Sequence, residues 1–323
     1  MLRLCRKKEK SMNRRDLLKT AAAFSVASAV PLWTLAQNDG TTKTASNQIP
    51  DDLSRLKPPA DGVPVAFLLS DGAVVIDFAG PWEVFQDAAS GSGMNMNMSL
   101  FNLYTVAESS KPIAASGGMK IVPNYTFANA PVPKVIVIPA QSAQNQPSVA
   151  MQAWLRKSAK TADVTMSVCT GAFVLANAGL LSGKAATTHH SSYKQMAMNF
   201  PDIDLKRGAR FVDNGNIATS GGLSSGIDLA LHVVERYYGA DVAKATAYQM
   251  EYQGSGWTDP ASNQVYAAKP VASPGHALCP VCDMEVDPSS SLKSTYKGKT
   301  YYFCMGSHKQ AFDNTPDRYL EAS

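Results

Sequence analysis

Cysteine is scarce, with five in 323 residues. Cys5 sits in a basic leader, Cys169 stands alone, and Cys279, Cys282 and Cys304 cluster near the end. That distribution argues against a framework of paired disulfides. Long apolar runs are also lacking. The best stretch, residues 21–30, is short and alanine-rich, which excludes a spanning helix. No internal repeat is visible. A net positive charge is lacking outside the leader: of the formal net +4, residues 1–37 carry +6, leaving −2 for the rest. A body so close to neutral has no nucleic-acid footprint.

What is present begins with an export leader. Ser11-Met12-Asn13-Arg14-Arg15-Asp16-Leu17-Leu18-Lys19 resembles a twin-arginine signal, with Met12 placed to serve as a start. The apolar stretch follows, and Thr34-Leu35-Ala36 offers small residues before a cut after Ala36. Residues 1–37 are therefore expected to be a signal peptide and the location periplasmic. Export in the folded state suits a protein that must acquire metal or keep its thiols reduced. Residues 38–62 are polar and proline-bearing, as a linker is.

From residue 63 short apolar runs alternate with helical patterns. Strands are expected at 65–69, 100–106, 134–139 and 164–168, and helices at 150–159, 191–200 and 225–238. Two strands should flank the turn Asp213-Asn214-Gly215-Asn216, and 120–122 with 125–127 reads as a small hairpin. Such alternation implies an α/β fold with a mostly parallel sheet covered on both faces. Asp77 falls before Phe78-Ala79-Gly80-Pro81, a helix start with Pro81 near its first position. Its plain role there is helix capping.

The chain is organised around Val164-Thr165-Met166-Ser167-Val168-Cys169-Thr170-Gly171-Ala172-Phe173. An apolar strand stops at Cys169 and a helix follows, the pattern of a nucleophile elbow. Unpaired N–H groups at the helix start are expected to favour thiolate. Gly171 allows helix and strand to approach closely. The alternative for a lone cysteine is a small buried hydrophobe.

These stretches, with Asp77-Phe78-Ala79-Gly80-Pro81-Trp82-Glu83-Val84, Gly179-Leu180-Leu181-Ser182-Gly183-Lys184-Ala185-Ala186-Thr187-Thr188-His189 and Ile217-Ala218-Thr219-Ser220-Gly221-Gly222, resemble the ThiJ/PfpI family over residues 63–258. The resemblance implies a class I glutamine-amidotransferase-like, flavodoxin-like three-layer sandwich. Thr170 stands where the protease-like branch has histidine, so the closer resemblance is to the isonitrile hydratase subgroup. That implies Cys169 as nucleophile, Asp77 as the acid that moves protons and positions water, and Thr170 as a donor beside the sulfur. It implies no cofactor in this domain. His189 matches a family histidine and ranks after Asp77; lining a loop is its alternative. One departure stands out: Pro139-Ala140-Gln141 replaces the family's Pro-Gly-Gly. An altered anion-binding corner, or one filled by the Gln141 side chain, is expected.

Residues 259–275 read as a second linker, and residues 276–323 as a small module. Cys279 and Cys282 form C-x-x-C, while Cys304 and His308 are four apart, one helical turn. Three sulfurs and an imidazole suit Zn(II) or Cu(I). A short module buries little core, so a metal would staple it. A Cys279–Cys282 disulfide is the alternative. Cys279-Pro280-Val281-Cys282, Tyr302-Phe303-Cys304 and Pro316-x-x-Tyr319-Leu320 resemble the YHS domain, a metal-handling family, with Asp283 where that family often has glycine.

The expected activity is hydration or hydrolysis of a small electrophilic molecule through a cysteine adduct. The second reading is periplasmic metal handling or redox and stress sensing without turnover. Expected partners are a small-molecule substrate or a metal ion. No nucleic acid is expected, membrane contact runs only through an uncut signal, and the resemblance leaves room for a homodimer.

Overall fold

A computed structural model of the chain describes residues 55–88, 99–268 and 270–320. The expected signal and the linker up to residue 54 lie outside the described residues. β1 (Val63–Leu68) is followed by α1 (Val75–Asp87), β2 (Phe101–Ala107), β3 (Ile113–Ala114), β4 (Lys120–Ile121), β5 (Tyr125–Thr126) and β6 (Val135–Ile138). Next come α2 (Val149–Ser158), β7 (Val164–Ser167), α3 (Ala172–Asn177), β8 (Ala185–Ala186), α4 (Tyr193–Asn199) and β9 (Asp204–Leu205). β10 (Phe211–Asp213), β11 (Ile217–Ser220), α5 (Ser225–Tyr238) and α6 (Ala240–Gln249) complete the domain.

Seven strands form one sheet in the order β10-β11-β7-β6-β1-β2-β5, and only β10 runs antiparallel to its neighbour. Parallel strands need crossovers, and the crossovers put helices on both faces. Val63, Val65 and Phe67 of β1 pack into one core with residues of α1 and α5. Ala66 and Leu68 of the same strand join the other core with α2, α3 and α4. Burial on both faces is why these strands read as unbroken apolar runs. The result is the expected flavodoxin-like three-layer sandwich.

Two local expectations fail. β4 pairs antiparallel with β3, while β5 joins the main sheet beside β2, so 120–127 is no hairpin. α1 begins at Val75, six residues before Pro81, which therefore lies inside the helix. The cap position is Val74, so Asp77 sits in the first turn with its carboxyl group used elsewhere.

Residues 256–268 pack back onto the domain. Arg210 N–H donates to Pro260 O (2.7 Å), Asn263 is buried, and the Tyr266 ring stacks on His190 at 4.7 Å. The C-terminal module contains β12 (Ala277–Leu278), β13 (Glu285–Val286), the hairpin β14 (Leu292–Tyr296) with β15 (Lys299–Phe303), α7 (Gly306–Asn314) and α8 (Pro316–Leu320). Lys297 (φ 49°) and Gly298 (φ 77°) turn the hairpin, both left-handed as a two-residue primed turn requires. Its buried core is Cys279, Val281, Val286, Phe303 and Phe312, too little to hold a fold unaided. Among the described residues no helix is long and apolar enough to cross a membrane.

Candidate active site and metal centre

β7 ends at Ser167, and Cys169 turns the chain with a left-handed backbone (φ 58°). Such a conformation costs a non-glycine residue on the order of 1–3 kcal/mol. The surroundings hold it: Cys169 N–H donates to Gly221 O (2.9 Å), Gly171 N–H to Val168 O (2.9 Å), and the Thr188 hydroxyl to Cys169 O (2.9 Å). Gly171 is required, because a Cβ there would lie 2.2 Å from Ile138 O, on the neighbouring strand β6. The close approach expected from sequence is present.

Cys169 is 7% exposed and Asp77 fully buried. Asp77 Oδ2 accepts from Ala140 N–H (3.1 Å), and its carboxyl group meets the Cys169 thiol. Asp77 Oδ1 is buried without a hydrogen-bond partner. Burial raises Asp77 to about 6, against the opposing pull of the Ala140 N–H and the thiol. Burial, then the Asp77 charge, pushes the Cys169 thiol up to about 12, although N–H groups of Thr170 and Leu223 and the Thr170 hydroxyl face the sulfur. The expectation of a resting thiolate is therefore overturned. The single short turn at residues 169–171 and the six-residue α3 do not outweigh desolvation beside a carboxylate.

Thr170 is half-buried and its hydroxyl is hydrogen-bonded to Gln144 Oε1. Asn177 Nδ2 donates to Gln144 O (2.9 Å), fixing that loop over α3. Gln141 is extended (φ −163°), and its Nε2 donates to Leu68 O (3.3 Å). Ala140 thus keeps an N–H aimed at Asp77, while Gln141 Oε1 remains buried without a partner.

The structure brings Cys169, Asp77 and Thr170 together. His189 is engaged elsewhere: Ser191 N–H donates to its Nδ1 (3.3 Å), and its ring lies 4.2 Å from that of His190. Burial, then the neighbouring His190, lowers its pKa and so favours the neutral ring. It borders a cavity of about 170 Å³ with Thr188, Leu223, Arg210, Asn263 and Tyr266. Leu223 and Thr188 join that cavity to the elbow. Arg210 anchors it through Asp228, with Nε to Oδ2 at 2.7 Å, and through Asn263 and Ser224. Gln144, Leu223 and Arg210 carry no sequence signal of their own; the first lies in a Gln/Ser/Ala loop, and Leu223 acts through a backbone N–H.

In the module, Cys279, Cys282, Cys304 and His308 converge, with ligand atoms all within 4.8 Å of one another. Cys282 Sγ lies 3.6 Å from Cys304 Sγ, and His308 Nδ1 lies 3.2 Å from Cys304 Sγ and 3.8 Å from Cys279 Sγ. Tetrahedral sulfurs around one ion with bonds of about 2.3 Å stand about 3.8 Å apart, so the spacing fits. α7 starts only at Gly306, yet Cys304 still reaches His308 from the preceding strand end. The Cys282 thiol donating to Cys279 lowers the latter, and the same contact raises Cys282. Cys279, Cys282 and Cys304 are all free thiols, so the Cys279–Cys282 disulfide of the alternative reading is not formed.

Comparison with known proteins places this geometry. Residues 63–236 match the model of the DJ-1/PfpI family, and residues 278–323 that of the YHS domain. The chain belongs to the DJ-1/PfpI family and carries a C-terminal YHS domain. Among its relatives is the isonitrile hydratase of Pseudomonas putida, 32% identical over 190 residues, 58% of this chain and 78% of that protein. An HTH-type transcriptional regulator of Pseudomonas aeruginosa is 28% identical over 190 residues, but these span only 50% of its length. Among solved structures, a ThiJ/PfpI family protein from Pseudomonas syringae is 26% identical with a TM-score of 0.53, covering 67% of this chain and 85% of that one.

Proposed function

We propose that this protein is an exported, cysteine-dependent hydratase acting on a small electrophile of the isonitrile type, with a YHS module that holds a thiophilic metal. The observation that carries the reading is the buried Asp77 carboxyl group set against the Cys169 thiol. At pH 7 a carboxyl raised to about 6 is mostly ionised, while a thiol at about 12 keeps its proton. Sulfur therefore becomes nucleophilic only as Asp77 takes that proton.

With an isonitrile, R–N≡C, a bond forms from sulfur to the terminal carbon. The thiol proton passes through Asp77 to that carbon, giving the thioimidate R–N=CH–S–Cys169. Water then adds to the C=N carbon, with Asp77 accepting a water proton and the nitrogen gaining one. The C–S bond breaks, the thiol is regenerated, and an N-substituted formamide leaves. The N–H groups of Thr170 and Leu223 stabilise charge gathering on sulfur as its bond forms and breaks.

In the YHS module Cys279, Cys282, Cys304 and His308 would hold Zn(II) or Cu(I), which would cross-link a small core. The second reading, redox sensing at Cys169, fares worse, since peroxide reacts with thiolate and this thiol is held protonated. Metal handling by the module is compatible with either reading. The test is formamide release from an aryl isonitrile by the mature protein. Cys169→Ser should abolish it, and equal rates in both forms, or none in either, would defeat the enzyme reading.

A further inference from the structure

A cavity of about 670 Å³ lies between the sheet domain and the YHS module, remote in sequence from the elbow and lined by neither Cys169 nor Asp77. α4 and β9 form one wall through Lys194 and Leu205, and the Cys-Pro-Val-Cys turn and β15 form the other through Pro280 and Tyr302. Its size falls within the range that encloses a small organic ligand.

Charge decides what kind. Lys194, Arg207 and Lys299 border the cavity, against one carboxylate, Asp283. That carboxylate is already spent: Asp283 Oδ1 accepts from Lys194 Nζ at 3.1 Å, and the Lys194 side chain is only 9% exposed. Asp283 reaches it from a left-handed backbone (φ 60°), a position where glycine would be unstrained. The pair thus closes the seam between the two parts and leaves Arg207 and Lys299 as surplus cations. Arg207 is steadied over the Tyr193 ring at 4.8 Å and by the carbonyls of Ala267 (3.0 Å) and Ala268 (3.5 Å), which use two of its five donors. The remaining lining is largely apolar, including Ala197, Leu205 and Leu278. A polyphosphate would leave that surface unused, and a neutral hydrocarbon would leave Arg207 and Lys299, each set over a tyrosine ring, without an anionic partner.

We propose that this cavity binds a medium-chain monocarboxylate, its chain along Leu205 and Pro280 and its carboxylate between Arg207 and Lys299. A ligand there touches both parts at once and rests against Pro280, one of the two residues between Cys279 and Cys282.

The test is calorimetric titration of the full mature protein with octanoate, n-octanol and sulfate. Octanoate should bind one to one, about tenfold or more tighter than the alcohol, with sulfate failing to compete at equal concentration. Lys299→Glu, an exposed site, should weaken octanoate by about fivefold and leave octanol unchanged. Leu205→Trp should abolish both by filling the space, with unchanged metal content and circular dichroism reporting that the protein is folded. Alcohol binding as tight as octanoate, octanoate binding indifferent to both substitutions, or no binding at millimolar concentration would each overturn the proposal.

Discussion

At the scale of single residues, Asp77 shows what burying an acid costs in stability. Its folded pKa, about 6, lies above the ordinary 3.8. Its contribution to stability is therefore full below about pH 4 and declines as pH rises through 6, because the unfolded chain ionises more easily. Asp77→Asn should accordingly stabilise the protein at pH 7.5 by on the order of 1–2 kcal/mol, read from urea unfolding, while formamide release is lost. In the unsubstituted protein kcat/KM should fall on the acid side with an apparent pKa near 6, a value belonging to the Asp77–Cys169 pair. Gly171→Ala forces a methyl group onto the Ile138 carbonyl and should cost about 3 kcal/mol or more, seen as a lowered urea midpoint. Residue identity alone announced Cys169 and Gly171. It could not give the sulfur's protonation state, because desolvation depends on which chains close over the site.

Among the elements, the runs buried on both faces of the sheet were legible because burial itself erases polar alternation. The long α5 was also expected at 225–238, where it lies. The start of α1 was not legible, since Pro81 reads as an opening residue and is tolerated inside the helix instead. The isolated strands of two residues were equally opaque, because which neighbour they pair with is a tertiary choice. Elements are fastened by polar contacts that sequence does not announce. Asp228 on α5 is fully buried and accepts from Arg210 and from the Tyr252 hydroxyl (3.0 Å), tying α5 to the stretch before β10. Asp228→Ala should strip Arg210 of its counter-charge and destabilise the domain by about 3 kcal/mol, measured by urea denaturation.

For the molecule as a whole, the two parts differ in what holds them. The sheet domain has two cores, whereas the YHS module has five buried core residues, of which Cys279 is also one of the four prospective ligands. Chelation should therefore melt the module alone: a low-temperature calorimetric transition should appear, and amide protection should vanish over 278–320 while β1 and β6 stay protected. The convergence of Cys279, Cys282, Cys304 and His308 was legible because spacing of cysteines and histidine survives without knowledge of packing. The seam was not, since the residues forming it, Lys194 and Asp283, are 89 positions apart. Residues 256–268 illustrate the same point in practical form. Pro260 and Asn263 are stitched to Arg210, and Ala267 to Arg207, so a cloning boundary or protease cut at 258 would unpick the hem of the domain itself.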